Sequence, residues 1–120
     1  MRNVCNQLVT AKMEKLIVTG ASGLLGSKIV KLAKNDYRVI PLYNTKPLYP
    51  NSLKLNITER KKLFDLFSKL KPKVVVHTAA ETNVDRCETQ KELAWKINVE
   101  GTRNVAEACS ETSAKMVYIS

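Results

Sequence analysis

Three glycines spaced three apart, Gly20, Gly23 and Gly26, stand in the run Thr19-Gly20-Ala21-Ser22-Gly23-Leu24-Leu25-Gly26. Glycine at such a spacing suits a turn that must fold sharply and let another group approach the backbone closely. Gly20 fits the sharp turn, Gly23 fits close approach of a pyrophosphate, and Gly26 fits tight packing of a following helix on the preceding strand. The amides of the opening helical turn, near Leu24 and Leu25, together with the helix dipole, attract phosphate, and the Ser22 hydroxyl adds one more donor. A merely structural turn is the competing reading. A Walker loop is excluded, because it ends in Gly-Lys-Ser/Thr and Gly26-Ser27-Lys28 has the wrong order.

The elements around the run decide its context. Lys15 to Thr19 is a short apolar run that predicts a strand, and Leu24 to Lys34 predicts a helix with Leu25, Ile29, Val30 and Leu32 on its apolar period. Tyr37 to Leu42 predicts a second strand, Thr45 to Ser52 with Pro47 and Pro50 a loop, and Ser52 to Leu55 a short third strand. Thr58 is expected to cap a helix from Glu59 to Leu70, which Pro72 ends. Val74 to His77 predicts a fully buried strand, Lys91 to Cys109 a long helix with Leu93, Ile97, Val105 and Cys109 on one stripe and Gly101 as a close-packing gap, and Lys115 to Ile119 a last strand. Strands alternating with helices imply a parallel sheet covered on both faces. The expected fold class is α/β, a Rossmann-type doubly wound sheet of order 3-2-1-4-5 with the glycine run at its first crossover. Residues 13–120 form this domain, and residues 1–12, which fit no element, are expected to be a flexible extension.

Composition narrows the classes. The chain has 120 residues, 44% hydrophobic and 26% charged, which suits one globular domain. No apolar run approaches the ~18 residues of a membrane span, and residues 1–12 lack the pattern of a signal peptide. Cys5, Cys87 and Cys109 are odd in number and widely spaced, so the expectation is a reducing cytoplasm and neither a disulfide framework nor a metal site. Twenty Lys and Arg against eleven Asp and Glu give +9. The densest basic stretch, Arg60, Lys61, Lys62, Lys69, Lys71 and Lys73, shares its helix with Leu63, Phe64, Phe67 and Leu70. It therefore reads as a solvated face and not as a nucleic-acid site, and the excess charge suits an anionic small ligand.

Several residues bear on a ligand. No acid occurs between Asp36 and Glu59, where an NAD site places one about 20 residues past the loop, and Asp36 lies at the wrong end of its strand. Asn44 and Lys46 occupy that region with donors and a cation suited to a 2′-phosphate, which favours NADP(H) over NAD(H). The small run Thr78, Ala79 and Ala80 leaves room for ribose and phosphates, or serves tight packing. His77, the only histidine, lacks a partner for catalysis or metal binding in the sequence and reads as a packed core residue. Trp95 and Cys109 read as core.

VTGASGLLG, HTAAETNVDRCE (77–88), INVEGTRNVAEAC (97–109) and VYIS (117–120) resemble the extended short-chain dehydrogenase/reductases. Within that superfamily the likeness is to the RmlD-like group of dTDP-4-dehydrorhamnose reductases, which the regulatory beta subunit of methionine adenosyltransferase also resembles. The resemblance implies an oxidoreductase that transfers hydride to the C4 carbonyl of a nucleotide-linked 4-keto-6-deoxy sugar in dTDP-rhamnose biosynthesis. Its alternatives are a dinucleotide-binding regulatory subunit without turnover and a nucleotide-sugar epimerase or dehydratase. It also implies that Asn56 and Ile57 meet the adenine, although the family has Asp where Asn56 stands and a plain helix-leading role competes. Asn98 matches a supporting asparagine of the family, Asp85 to Glu88 form a rim near the substrate, and Ser120 lies at the cofactor. The family's catalytic Tyr-x-x-x-Lys pair has no match: Tyr37, Tyr43, Tyr49 and Tyr118 have no lysine four residues on. The resemblance therefore implies an N-terminal cofactor-binding portion that is inactive alone. It implies a nucleotide-sugar partner in the full enzyme, allows a homodimer, and implies no nucleic acid or membrane partner.

Overall fold

The first strand, β1 (Lys15–Thr19), is apolar almost throughout, and residues 16–19 are all buried, as a strand covered on both faces requires. A computed structural model describes residues 13–43, 52–78 and 91–119 of the chain, with the backbone alone for residues 91–97. After β1 come α1 (Leu24–Ala33), β2 (Arg38–Tyr43), β3 (Leu53–Lys54), α2 (Arg60–Leu70), β4 (Val74–Thr78), α3 (Lys91–Thr112) and β5 (Lys115–Ile119). The five strands form one sheet in the order β3-β2-β1-β4-β5. All pairs are parallel, with Leu16 opposite both Val39 and Val74. This is the doubly wound, Rossmann-like arrangement that the strand–helix alternation predicts.

The pleat of the sheet sends successive residues to opposite faces, and the core divides accordingly. Ile17, Leu42 and Val75 join Leu63 and Phe67 of α2 and Val105, Ala108 and Cys109 of α3 on one face. Leu16, Val18 and Val76 join Ala21 and Val30 on the other, beneath α1. Pro41 is tolerated inside β2 for a local reason. Arg38 donates its backbone N–H toward β1, whereas the carbonyl of Tyr43 accepts from Leu55 beyond β3. By alternation Pro41 faces the β3 side, and β3 begins only opposite Leu42, so no ladder bond is lost.

Two local expectations are corrected. Leu25 and Leu32 do not lie on the apolar stripe of α1: they are 44% and 78% exposed. Gly26 and Val30 are the buried positions, with Ile29 and Ala33 partly buried beside them. The rotation of α1 is set where Gly26 meets the turn, and this turns Leu25 and Leu32 outward. Thr58 does not cap α2 either. Glu59 holds that position without a side-chain bond, and Thr58 instead gives both its N–H (3.0 Å) and its hydroxyl (2.7 Å) to Oδ1 of Asn56. The Asn56 oxygen thus folds the turn that leads into the helix.

Helix α3 runs to Thr112, three residues beyond the expected end, and closes on Ser113 in the left-handed region with Ala114 N–H bonded to Cys109 O at 2.9 Å. A polar clasp joins α2 to α3. Arg60 pairs with Glu107 at 2.6 Å, lies 4.3 Å from the Phe64 ring centroid and reaches Asn104, which in turn donates to the Ile57 carbonyl at 2.9 Å. Lys61, Lys62 and Lys69 are exposed, so the basic stretch of α2 is a solvated face. Among the described residues no helix is long and apolar enough to cross a membrane, and no group of three or more His, Cys, Asp or Glu is placed to hold a metal ion.

Candidate dinucleotide site

β1 delivers the chain into Gly20, whose φ of 65° is the left-handed conformation that glycine adopts without strain. The Gly23 N–H closes the turn on the Gly20 carbonyl at 3.0 Å, and the Ala21 N–H ties it to Leu42 O of β2 at 3.1 Å. A Cβ on Gly26 would overlap the Gly20 carbonyl oxygen and stand 2.9 Å from its carbon, so α1 reaches the sheet only through a bare backbone. Gly23 is different. Its extended backbone suits any residue, and a Cβ there would lie 3.3 Å from Gly20 O. Its lack of a side chain mainly leaves the mouth of the turn open.

That mouth is fit for an anion. Gly23 caps α1 without a side-chain bond, and the first turn holds no acid. The amides of Leu24 and Leu25 have no intrahelical partner by helix geometry, and residues 22–25 are all exposed. Ser22, Gly23, Leu24 and Leu25 are therefore brought together as the sequence reading expects, at the carboxyl ends of β1 and β4. These exposed backbone donors are suited to an anionic group such as phosphate.

Thr78 ends β4 against the turn. Its hydroxyl donates to Thr19 O at 2.6 Å, so it fixes the last carbonyl of β1. His77 is 1% exposed, as expected of a core histidine. Its Nδ1 meets the Thr19 hydroxyl at 2.6 Å, its Nε2 meets the Thr102 hydroxyl at 3.0 Å, and its ring stacks on Tyr118 with centroids 5.3 Å apart. Burial lowers its pKa from 6.5 to about 4, which keeps the imidazole neutral at physiological pH. Thr19 and Thr102 escape sequence reading. The one available signal is that a buried histidine needs a partner for each ring nitrogen.

Asn56 and Ile57 follow β3. Both bonds to Asn56, which the family resemblance places at the adenine, fall on its side-chain oxygen. Ile57 packs against Gly101 of α3, the close-packing gap read from the sequence. Asn98, half-buried on α3, has its Oδ1 buried without a hydrogen-bond partner among the described residues. Asn44, Lys46, Ala79, Ala80 and Ser120, together with Asp85 to Glu88 and the side chain of Trp95, lie outside the described residues. Cys109 is core, 3% exposed, and burial pushes its thiol up to about 11.

Residues 13–120 match the RmlD substrate binding domain family. The chain belongs to that family. Its RmlD relatives include dTDP-4-dehydrorhamnose reductase of Aggregatibacter actinomycetemcomitans, 31% identical over 110 residues, which cover 90% of this chain and 35% of that protein. Methionine adenosyltransferase 2 subunit beta of Xenopus laevis is 33% identical over 113 residues, 93% of this chain and 34% of that protein. In structure the chain matches dTDP-4-dehydrorhamnose reductase from Bacillus anthracis, solved in complex with NADP, at a TM-score of 0.76 and 35% identity over 90% of this chain and 36% of that one. The chain thus spans about a third of the length of the curated relatives it matches.

Proposed function

We propose that residues 13–120 are the NADP(H)-holding part of a reductase that converts the C4 carbonyl of a nucleotide-linked 4-keto-6-deoxy sugar to an alcohol, in dTDP-rhamnose biosynthesis. The observation that carries the reading is the turn itself. Gly20 and Gly26 bring α1 onto the sheet so that the uncapped amides of a first turn without acidic residues are exposed. Support comes from the match to a reductase solved with NADP. The dinucleotide would supply the hydride. The chain's own part is to hold it: Leu24 and Leu25 amides and Ser22 on the phosphates, Asn44 and Lys46 on the 2′-phosphate, Thr78, Ala79 and Ala80 leaving room for its ribose and phosphates, and Ser120 at the cofactor. NAD(H) is the alternative cofactor, and the working compartment is the cytoplasm.

Calorimetric titration of the chain with NADPH and NADH tests the reading. Gly23→Asp places a carboxylate at the mouth and is expected to weaken NADPH sharply. Lys46→Ala is expected to weaken NADPH more than NADH. Equal NADPH affinity of the wild type and Gly23→Asp overturns the assignment of the turn. A second reading, a dinucleotide-holding module without turnover, is favoured by the likeness to methionine adenosyltransferase 2 subunit beta. Oxidation of NADPH by the dTDP-4-keto-6-deoxy sugar, measured on the protein that carries this segment, separates the two: substrate-dependent oxidation supports the reductase, and binding without it supports the module.

A further inference from the structure

Thr19 is the last residue of β1 and the residue before Gly20, so whatever fixes Thr19 fixes where the glycine turn starts. Two side chains of β4 hold it. Thr78 binds its carbonyl, and His77, its register partner, binds its hydroxyl. The other nitrogen of the same ring meets Thr102 on α3, directly after Gly101, whose bare Cα lets α3 settle on Ile57. One turn earlier on that helix stands Asn98, whose buried oxygen has no partner among the described residues. Two residues back on the same face of these strands, Ile17 pairs with Val75, and both residues are apolar. Among the described residues of β1 and β4, the polar chain Thr19–His77–Thr102 stands at the level where the strand hands over to the turn.

We infer that His77 is a positioning residue for the dinucleotide: bonded to Thr19 on one side and Thr102 on the other, its ring sets the separation between the glycine turn and α3. The ring suits this task because a neutral imidazole has one donor and one acceptor on opposite edges, and each threonine hydroxyl can complement either. Stacking on Tyr118 holds the ring plane. An apolar ring of similar size would fill the space and leave both hydroxyls without their partner. The inference rests on the dinucleotide reading of the turn.

The test compares NADPH titrations of the wild-type chain with those of Thr102→Val, Thr102→Ser and His77→Phe, each confirmed as folded by circular dichroism. Thr102→Val keeps the shape of the side chain and removes only the hydroxyl. It is expected to weaken NADPH roughly 3- to 10-fold, in line with the loss of one part-buried hydrogen bond. His77→Phe is expected to do at least as much, the two together are expected to be less than additive, and Thr102→Ser is expected to restore wild-type affinity. In the wild type, NADPH is expected to shift the ring ¹⁵N resonances of His77. Folded variants with lower melting temperatures but wild-type affinity, and ring resonances unmoved by NADPH, overturn the inference and leave His77 a structural residue. Failure of the wild type to bind either NADPH or NADH overturns the dinucleotide reading and the inference with it. If His77→Phe does not fold, the Thr102 pair decides.

Discussion

A methyl group on Gly101 would stand 2.6 Å from Cγ1 of Ile57 and closer still to its Cδ1. The lead-in to α2 and the middle of α3 are thus in contact across a gap sized for hydrogen alone. Alanine is the better helix former by about 1 kcal/mol, yet Gly101→Ala is expected to destabilise the domain by about 1–3 kcal/mol through overpacking. On an Ile57→Ala background, which removes both crowded carbons, the same substitution is expected to be neutral or stabilising. Urea denaturation of the four proteins of the cycle checks this, and equal effects of Gly101→Ala on both backgrounds would refute it.

The glycines of the turn are predicted to differ sharply from one another. Gly26→Ala meets backbone atoms of Gly20 that cannot move without opening the turn, so it is expected to cost more than ~3 kcal/mol and to abolish NADPH binding. Gly20→Ala forces a side chain into the left-handed region, for about 1–2 kcal/mol. Gly23→Ala meets only one oxygen at 3.3 Å, in an ordinary extended conformation, and is expected to fold nearly as well as the wild type. Thermal melts rank the three, and a Gly23→Ala protein less stable than Gly26→Ala would contradict the geometry.

His77 makes stability depend on pH. The unfolded chain takes up its proton as pH falls through 6.5, whereas the folded protein resists until about 4. Between those values the unfolded state binds more protons, so stability falls as pH is lowered, by up to ~3 kcal/mol over the full range. His77→Phe is expected to be less stable at neutral pH but to show a shallower decline between pH 6.5 and 4. Parallel declines in the two proteins would show that the histidine titrates normally.

Lys71 ends α2 in the left-handed region at φ 50°, with its N–H bonded to Phe67 O at 2.8 Å. Lys71→Gly keeps that bond and removes the Cβ conflict, and it is expected to stabilise the domain by about 0.5–1 kcal/mol. The denaturation midpoint should rise with an unchanged slope. A lower midpoint would mean that the lysine side chain contributes more than its conformation costs.

The strands and their order were readable because parallel strands buried on both faces are unbroken apolar runs, as in Leu16-Ile17-Val18 and Val74-Val75-Val76. The glycine turn was readable because its residue types follow from conformation and contact. What escaped depends on tertiary placement. Periodicity alone puts Leu25 and Leu32 on the core side of α1, but the meeting of Gly26 with Gly20 sets the helix rotation and exposes them. Asn56 and Thr58 are both capping residue types, and only the folded turn shows that the asparagine oxygen receives both bonds. His77 could be read as core, but its partners could not, because Thr19 and Thr102 reach it only through strand register and helix docking.

The central position of β1 has a consequence for synthesis. It leaves the ribosome before the other described strands, yet it lies between β2 and β4, and Thr19 is separated from its register partner His77 by 58 residues. At ~5–20 residues per second, β1 waits roughly 3–12 s for its second neighbour. Throughout that interval one edge of Leu16-Ile17-Val18 is unpaired, a template for pairing with another nascent chain. The strand that later delivers the glycine turn therefore stays open to mispairing until β4 has been made.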